Sequence, residues 1–189
     1  MDERKNVTAA ENGAVSASPR RRAGGGYRSA ALRLLVLLAV VWICFFKIVG
    51  LTHMPDGDMY PRIDAGDLVL FYRLERDVRA QDVAVIEKTM PDGGRELFIS
   101  RVVAVGGDTV EIDGEGHLII NGNRMVESNI FSATASYDGA VEYPLQLGEG
   151  EYFVLADRRS GGTDSRVFGP VSAEEIQGCV ISVLRRGTI

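Results

Sequence analysis

The 189 residues carry 21 Lys/Arg against 26 Asp/Glu and are 46% hydrophobic, an ordinary balance for a chain that buries a core. The net charge of −5 is unevenly spread: residues 1–33 hold seven basic and three acidic side chains, residues 52–189 thirteen and 23. An acidic body without a basic face excludes nucleic acid as a partner. Two cysteines (Cys44, Cys179) and two histidines (His53, His117) give no zinc-ligand spacing, and both cysteines read as unbridged apolar residues.

In chain order, residues 1–29 are polar, small and basic, and are expected to be a disordered tail. Residues 30–51 form the next unit. Residues 34–46 are apolar without interruption, Arg33 and Lys47 bracket them, and the whole stretch spans a bilayer if both charges snorkel. A cleaved signal peptide is the rival reading. The long N-terminal region and the lack of a small-x-small site before His53 favour an uncleaved transmembrane helix. Arg20, Arg21, Arg22, Arg28 and Arg33 precede the span, so the N-terminus is expected in the cytoplasm and residues 52–189 outside. The cell membrane is the expected location.

The outer part reads as β. Short apolar or alternating runs cover residues 68–72, 82–87, 97–105, 110–113, 117–121, 152–156 and 179–184, and Asn121-Gly122 is a hairpin signal. A short helix is expected near residues 173–176, where Ser172 and Glu175 make a capping box and Gly178 can end it. Residues 128–148 lack periodicity and are expected to form an excursion loop. The fold class is therefore mostly β, an antiparallel domain on one N-terminal transmembrane helix.

Four blocks carry a resemblance. Residues 54–61 (M-P-D-G-D-M-Y-P) resemble P-S-x-S-M-x-P, and residues 66–70 resemble a G-D-x-V strand. Residues 100–108 (S-R-V-V-A-V-G-G-D) are similar to K-R-V-x-G-x-P-G-D. Residues 156–171 (A-D-R-R-S-G-G-T-D-S-R-V-F-G-P-V) resemble G-D-N-R-x-x-S-x-D-S-R-x-x-G-x-V. In this order, after an apolar span, they resemble the framework of bacterial signal peptidase I, the serine/lysine membrane protease. The resemblance implies a signal-peptidase-type β domain that binds its substrate as an added strand.

It also implies a mechanism that these residues do not supply. In the family a Ser hydroxyl attacks, a neutral Lys takes its proton, and backbone and hydroxyl donors hold the oxyanion. Carried across, the nucleophile position is Asp58, the oxyanion-hydroxyl position Asp56, the general-base position Ser100, and the base-orienting position Gly162. A carboxylate repels a developing oxyanion, and Ser100 has no basicity near neutral pH. Lys88, the outer part's one lysine, belongs to a different strand. The matching framework is Pro55, Met59, Pro61, Gly66, Asp67, Arg101, Gly107, Asp108, Asp157, Arg159, Asp164, Ser165, Arg166 and Gly169. Asp164 and Arg166 are expected to form a charge-assisted bond along the cleft wall.

These substitutions resemble the catalytically inactive signal-peptidase-like proteins of Gram-positive pilus assembly. The implied function is a pseudoenzyme that binds extended secreted or pilin segments as an assembly factor. Its implied partners are the lipid bilayer, exported preproteins or pilin subunits, and a sortase. The alternatives are an active signal peptidase I that processes the signal peptides of exported preproteins through Asp58, Ser100 or Lys88, and a membrane-anchored structural domain without a peptide ligand. No cofactor and no metal is implied. Asp56-x-Asp58 lacks the later residues of a calcium loop, and an aspartic pair there is the weaker reading. His53 and Trp42 read as interfacial anchor residues. Met54 and Met59 fit either lipid or core.

Overall fold

The structure, a computed structural model, describes residues 24–74, 77–90, 93–130, 132–137 and 141–185. The expected tail at residues 1–23 lies outside them. The chain divides into two compact units, one ending at Val40 and the next starting at Val41. Helix α1 (Gly24–Ile48) has apolar side chains exposed on all sides, and its 22-residue stretch Tyr27–Ile48 is long and apolar enough to cross a membrane. This corrects the expected boundaries of 30 and 51. Gly24 to Ser29 are already helical, and residues 49–51 belong to strand β1 (Val49–His53). The β-branched Val49 and the pairing of Gly50 opposite Phe71 turn the chain from helix to ladder.

Ten further strands follow: β2 (Leu68–Tyr72), β3 (Val83–Thr89), β4 (Arg95–Val105), β5 (Thr109–Ile112), β6 (Leu118–Ile120), β7 (Asn123–Arg124), β8 (Leu145–Gln146), β9 (Glu151–Leu155), β10 (Val171–Ser172) and β11 (Ile176–Leu184). They make a seven-stranded sheet, β1-β2-β11-β3-β4-β9-β10, and a four-stranded sheet, β7-β6-β5-β8, with antiparallel pairing throughout. The mostly antiparallel β fold with an N-terminal apolar helix is as expected. Asn121 (φ 51°) and Gly122 (φ 76°) form the two-residue β6–β7 turn, in which both residues have positive φ. Gly66 and Gly107, at φ 84° and 92°, lie in turns that a β-carbon would strain.

β3 and β4 are buried on both faces, which is why their sequences alternate only weakly. Ala84, Ile86, Phe98 and Val102 enter one core cluster with Val154 and Ile176, while Val85 and Ile99 enter another with Met54, Met59 and Val69. A third cluster fills the space under the smaller sheet, around Val110, Phe153 and Leu155.

Two local expectations are corrected. Residues 173–175 are a turn and Ile176 already begins β11, so there is no helix here. The capping contacts exist, with Ser172 N donating to Glu175 Oε2 at 2.9 Å, but Lys88 Nζ also claims the Glu175 carboxylate and Ala173 N bonds Gly150 O. The short helix is instead α2 (Ser165–Phe168), capped by Asp164. The 128–148 stretch is largely irregular but contributes β8.

Candidate functional site

The loop between β1 and β2 is closed at its base by Met54 N to Asp67 O and Gly66 N to Met54 O, both 2.9 Å, with Asp67 Oδ2 accepting from Asp64 N. Met54 and Met59 are both buried in the core, so the loop is anchored by its methionines and they do not serve lipid. Pro55 and Pro61 stay on the exposed side. Asp56 and Asp58 lie in the loop just after Met54. Asp56 Oδ1 accepts the Asp58 backbone N–H at 3.0 Å. In an oxyanion hole the nucleophile's own N–H is a natural donor. Here that N–H is already bonded to a carboxylate oxygen.

The opposite wall is the segment after β9. Asp58, 7% exposed, receives Arg158 Nη2 at 3.0 Å on one carboxylate oxygen and Thr163 N at 2.9 Å on the other, while Arg158 N donates to its carbonyl at 2.8 Å. An acid held by these donors is a poor nucleophile. Gly162 is walled in, because a β-carbon there would sit 2.6 Å from Ala156 Cβ and 2.8 Å from Arg158 O, and 3.7 Å from Asp58 Cγ. A base-orienting hydroxyl therefore has no room. Ala156 stands where the matching block has Gly, and its methyl fills the space that a side chain at 162 needs.

Ser100 lies in the buried stretch of β4, opposite Ala84. Continuing the β4–β9 register one step past Arg101↔Leu155 puts Ala156 level with Ser100, on the same face as Val102 and Val154. Ala156 in turn adjoins Gly162. Of the four positions assigned from the sequence, Asp56, Asp58 and Gly162 are linked by contacts, while Ser100 is not among the hydrogen-bond partners of Asp58. Lys88 does not belong to this group. It pairs with Glu96, four residues along the ladder from Ala84↔Ser100 or about 13 Å. Its Nζ is spent on Pro170 O at 3.0 Å and on the Glu175 carboxylate at 3.2 Å.

The framework residues brace the 156–166 wall. Arg101 holds Asp157 through two bonds of 2.7 and 2.6 Å and reaches Gln81 O at 2.9 Å. Arg159 donates to Ala156 O, to Thr134 Oγ1 and to both Glu127 carboxylate oxygens, tying down the 127–134 stretch. Arg166 grips Asp164 with Nε and Nη2 at 2.8 Å each, bonds Ala135 O and lies over the Tyr137 ring. Burial alone would lower the Arg166 pKa, but the Asp164 carboxylate more than offsets it and raises it. Asp164 Oδ2 also accepts Ala156 N, and Ser165 Oγ accepts Val154 N at 3.0 Å. Gly169, at φ 78°, is the C-cap of α2. Asp108 binds Val105 N and Asn121 Nδ2, away from the wall.

Sequence reasoning did not find Arg158, Thr163, Ala156 or Glu127. Arg158 had a signal: it replaces the Asn of the matching block just as Asp58 replaces the Ser, and the two departures carry opposite charge.

The model of the family described as "Signal peptidase, peptidase S26" matches residues 27–184. A probable signal peptidase I-2 of Synechocystis sp. is 27% identical over 133 residues, covering 67% of this chain and 58% of its own length. The thylakoidal processing peptidase 1 of Arabidopsis thaliana is 32% identical over 136 residues, 66% of this chain and 38% of its own. The chain thus spans well under two thirds of these relatives. A crystal structure of a signal peptidase I from Enterococcus faecalis V583 aligns with a TM-score of 0.44 at 26% identity, over 56% of this chain and 97% of that one. The four ordered blocks and a family match running from α1 through β11 place this chain in the signal peptidase family, peptidase S26.

Proposed function

We propose that this chain is a non-catalytic member of its family that binds extended segments of exported proteins on the outer face of the cell membrane. The observation that carries the first half is the state of residue 58, a carboxylate held by Arg158 and the Thr163 amide, with its own N–H taken by Asp56. Neither an activated hydroxyl nor a base is at hand, because Ser100 has no proton affinity to offer.

The second half rests on β4. It pairs with β3 over Arg95–Arg101 but with β9 only from Arg101 to Val105. On the β9 side, residues 95–99 have no ladder partner among the described residues. An extended peptide laid there continues the sheet in line with β9, with backbone bonds for affinity. The arginine-braced wall keeps that edge in place without any catalytic group. A pilin subunit delivered to a sortase is the particular occupant suggested by the resemblance, with α1 spanning the bilayer and its arginine-flanked end in the cytoplasm.

The test is incubation of the purified full chain with an exported preprotein. No mature product is expected at any pH from 5 to 9. Turnover that disappears in Asp58→Ala would restore the peptidase reading.

A further inference from the structure

A cavity of about 270 Å³ is lined by Arg62, Gln81, Arg101 and residues 125–130. Its walls are fixed from behind. Arg62 N bonds Met59 O at 3.0 Å, and Met59 is fully buried. Gln81 N donates to Val102 O at 2.8 Å, and Gln81 O accepts Arg101 Nη1 at 2.9 Å. These bonds hold Gln81, a residue with a side chain, at φ 81°, a strained backbone of the kind that gathers at ligand sites. On the other wall Met125 N bonds Leu118 O at 2.8 Å, and Glu127 is gripped by Arg159.

The polar groups of this cavity are unequally satisfied. Arg101 is answered by Asp157, and Glu127 by Arg159. Among the described residues, the side chains of Arg62, Gln81, Ser128 and Asn129 have no hydrogen-bond or ion-pair partner. The walls thus carry one uncompensated positive charge with neutral amide and hydroxyl groups beside it. Met125, Val126 and Ile130 complete the lining, and Val126 stands 93% exposed. A dianion would bring a charge that nothing answers, and a purely apolar ligand would strand the donors. The volume equals that of about nine waters, room for one or two small residues and not for a folded partner.

We propose that this cavity binds a monocarboxylate that carries a short apolar group, the chemistry shared by the free C-terminal end of a peptide and a small aliphatic acid. Arg62 takes the carboxylate, Gln81, Ser128 and Asn129 supply further hydrogen bonds, and Met125, Val126 and Ile130 cover the apolar group. The site stands apart from strand addition at β4 and does not depend on it. Because Arg62 is exposed, its contact with the carboxylate is worth a modest factor, about fivefold in affinity.

The experiment titrates the full chain in nonionic detergent with N-acetyl-Ala-Val as free acid, with the same dipeptide as its C-terminal amide, and with butyrate, read by ligand-observed NMR. The acid is expected to bind about fivefold tighter than the amide. Arg62→Gln is expected to bind both alike, and Asn129→Asp, which sets a negative charge in the same wall, to lose the preference as well. Arg73→Gln, whose arginine lies over the Phe71 ring and does not line this cavity, keeps it. Dipeptide acid binding tighter than butyrate identifies a chain end as the ligand, and equal binding identifies the small acid. The proposal is overturned if neither acid binds, if acid and amide bind alike to the unmodified chain, or if Arg62→Gln retains the preference.

Discussion

Restoring a side chain at residue 162 is the least forgiving step back toward the family pattern. In Gly162→Ser the new β-carbon would lie 2.6 Å from Ala156 Cβ and 2.8 Å from Arg158 O. Carbon atoms pack at about 3.5–4.0 Å, so the first contact is about 1 Å too short. The second is with backbone that is itself held, since Arg158 N bonds Asp58 O at 2.8 Å. Overpacking costs about 1–3 kcal/mol, and with one rigid contact the cost falls at about 2–3 kcal/mol. At about 4 °C per kcal/mol for a domain of this size, thermal unfolding of Gly162→Ser should start about 8–12 °C lower, as read by circular dichroism of the full chain in detergent. Ala156→Gly removes the methyl from the collision, so the double variant should be less destabilised than the sum of the two single ones. The reasoning fails if Gly162→Ser unfolds within about 2 °C of the unmodified chain, or if the two substitutions are additive.

Installing Asp58→Ser with Ser100→Lys should still give no preprotein cleavage on a gel, because the Asp56 carboxylate keeps the N–H of residue 58. Asp164→Ala should cost about 3–5 kcal/mol in a denaturant titration, since it strands the fully buried Arg166. Tyr143 has a buried hydroxyl with no hydrogen-bond partner among the described residues, so Tyr143→Phe should be neutral or stabilising by up to about 1 kcal/mol at pH 7. Burial, with the Asp164 charge adding and Arg166 opposing, pushes that phenol from 10.0 up to about 12. Because the folded-state value is the higher one, the neutral phenol's contribution is complete below pH 10 and is lost as pH rises from 10 toward 12. Urea midpoints measured at pH 8 and pH 11 should therefore fall less in the Phe variant.

The parts of the fold that were legible in the sequence are those whose signals are local. Residues 68–72 and the Asn121-Gly122 turn announce themselves within a few positions. β1 was hidden because Val49 to Leu51 are apolar enough to extend the membrane stretch, and only pairing with β2 reveals them as a strand. α2 is one turn long, too short for any periodicity, and its mark is the Asp164 cap. Ser172 and Glu175 misled because their reciprocal bonds close a turn as readily as a helix. At the site, motif spacing located Asp56, Asp58, Ser100 and Gly162. What surrounds them comes from long-range contacts: Arg158 reaches Asp58 across 100 positions, and Glu127 reaches Arg159 across 32. No window along the chain contains both halves of either pair.

The arginine pairs of the 156–166 wall have an evolutionary consequence. Arg101, Arg159 and Arg166 are each nearly or wholly sealed from solvent and answered by one acid. Losing either member alone strands an ion in the protein interior, whereas exchanging both for well-packed apolar residues is close to neutral. Such couples drift only by two-step changes through a damaged intermediate. The 156–166 wall is thus held in place by the cost of unfolding alone, whatever chemistry the cleft beside it performs.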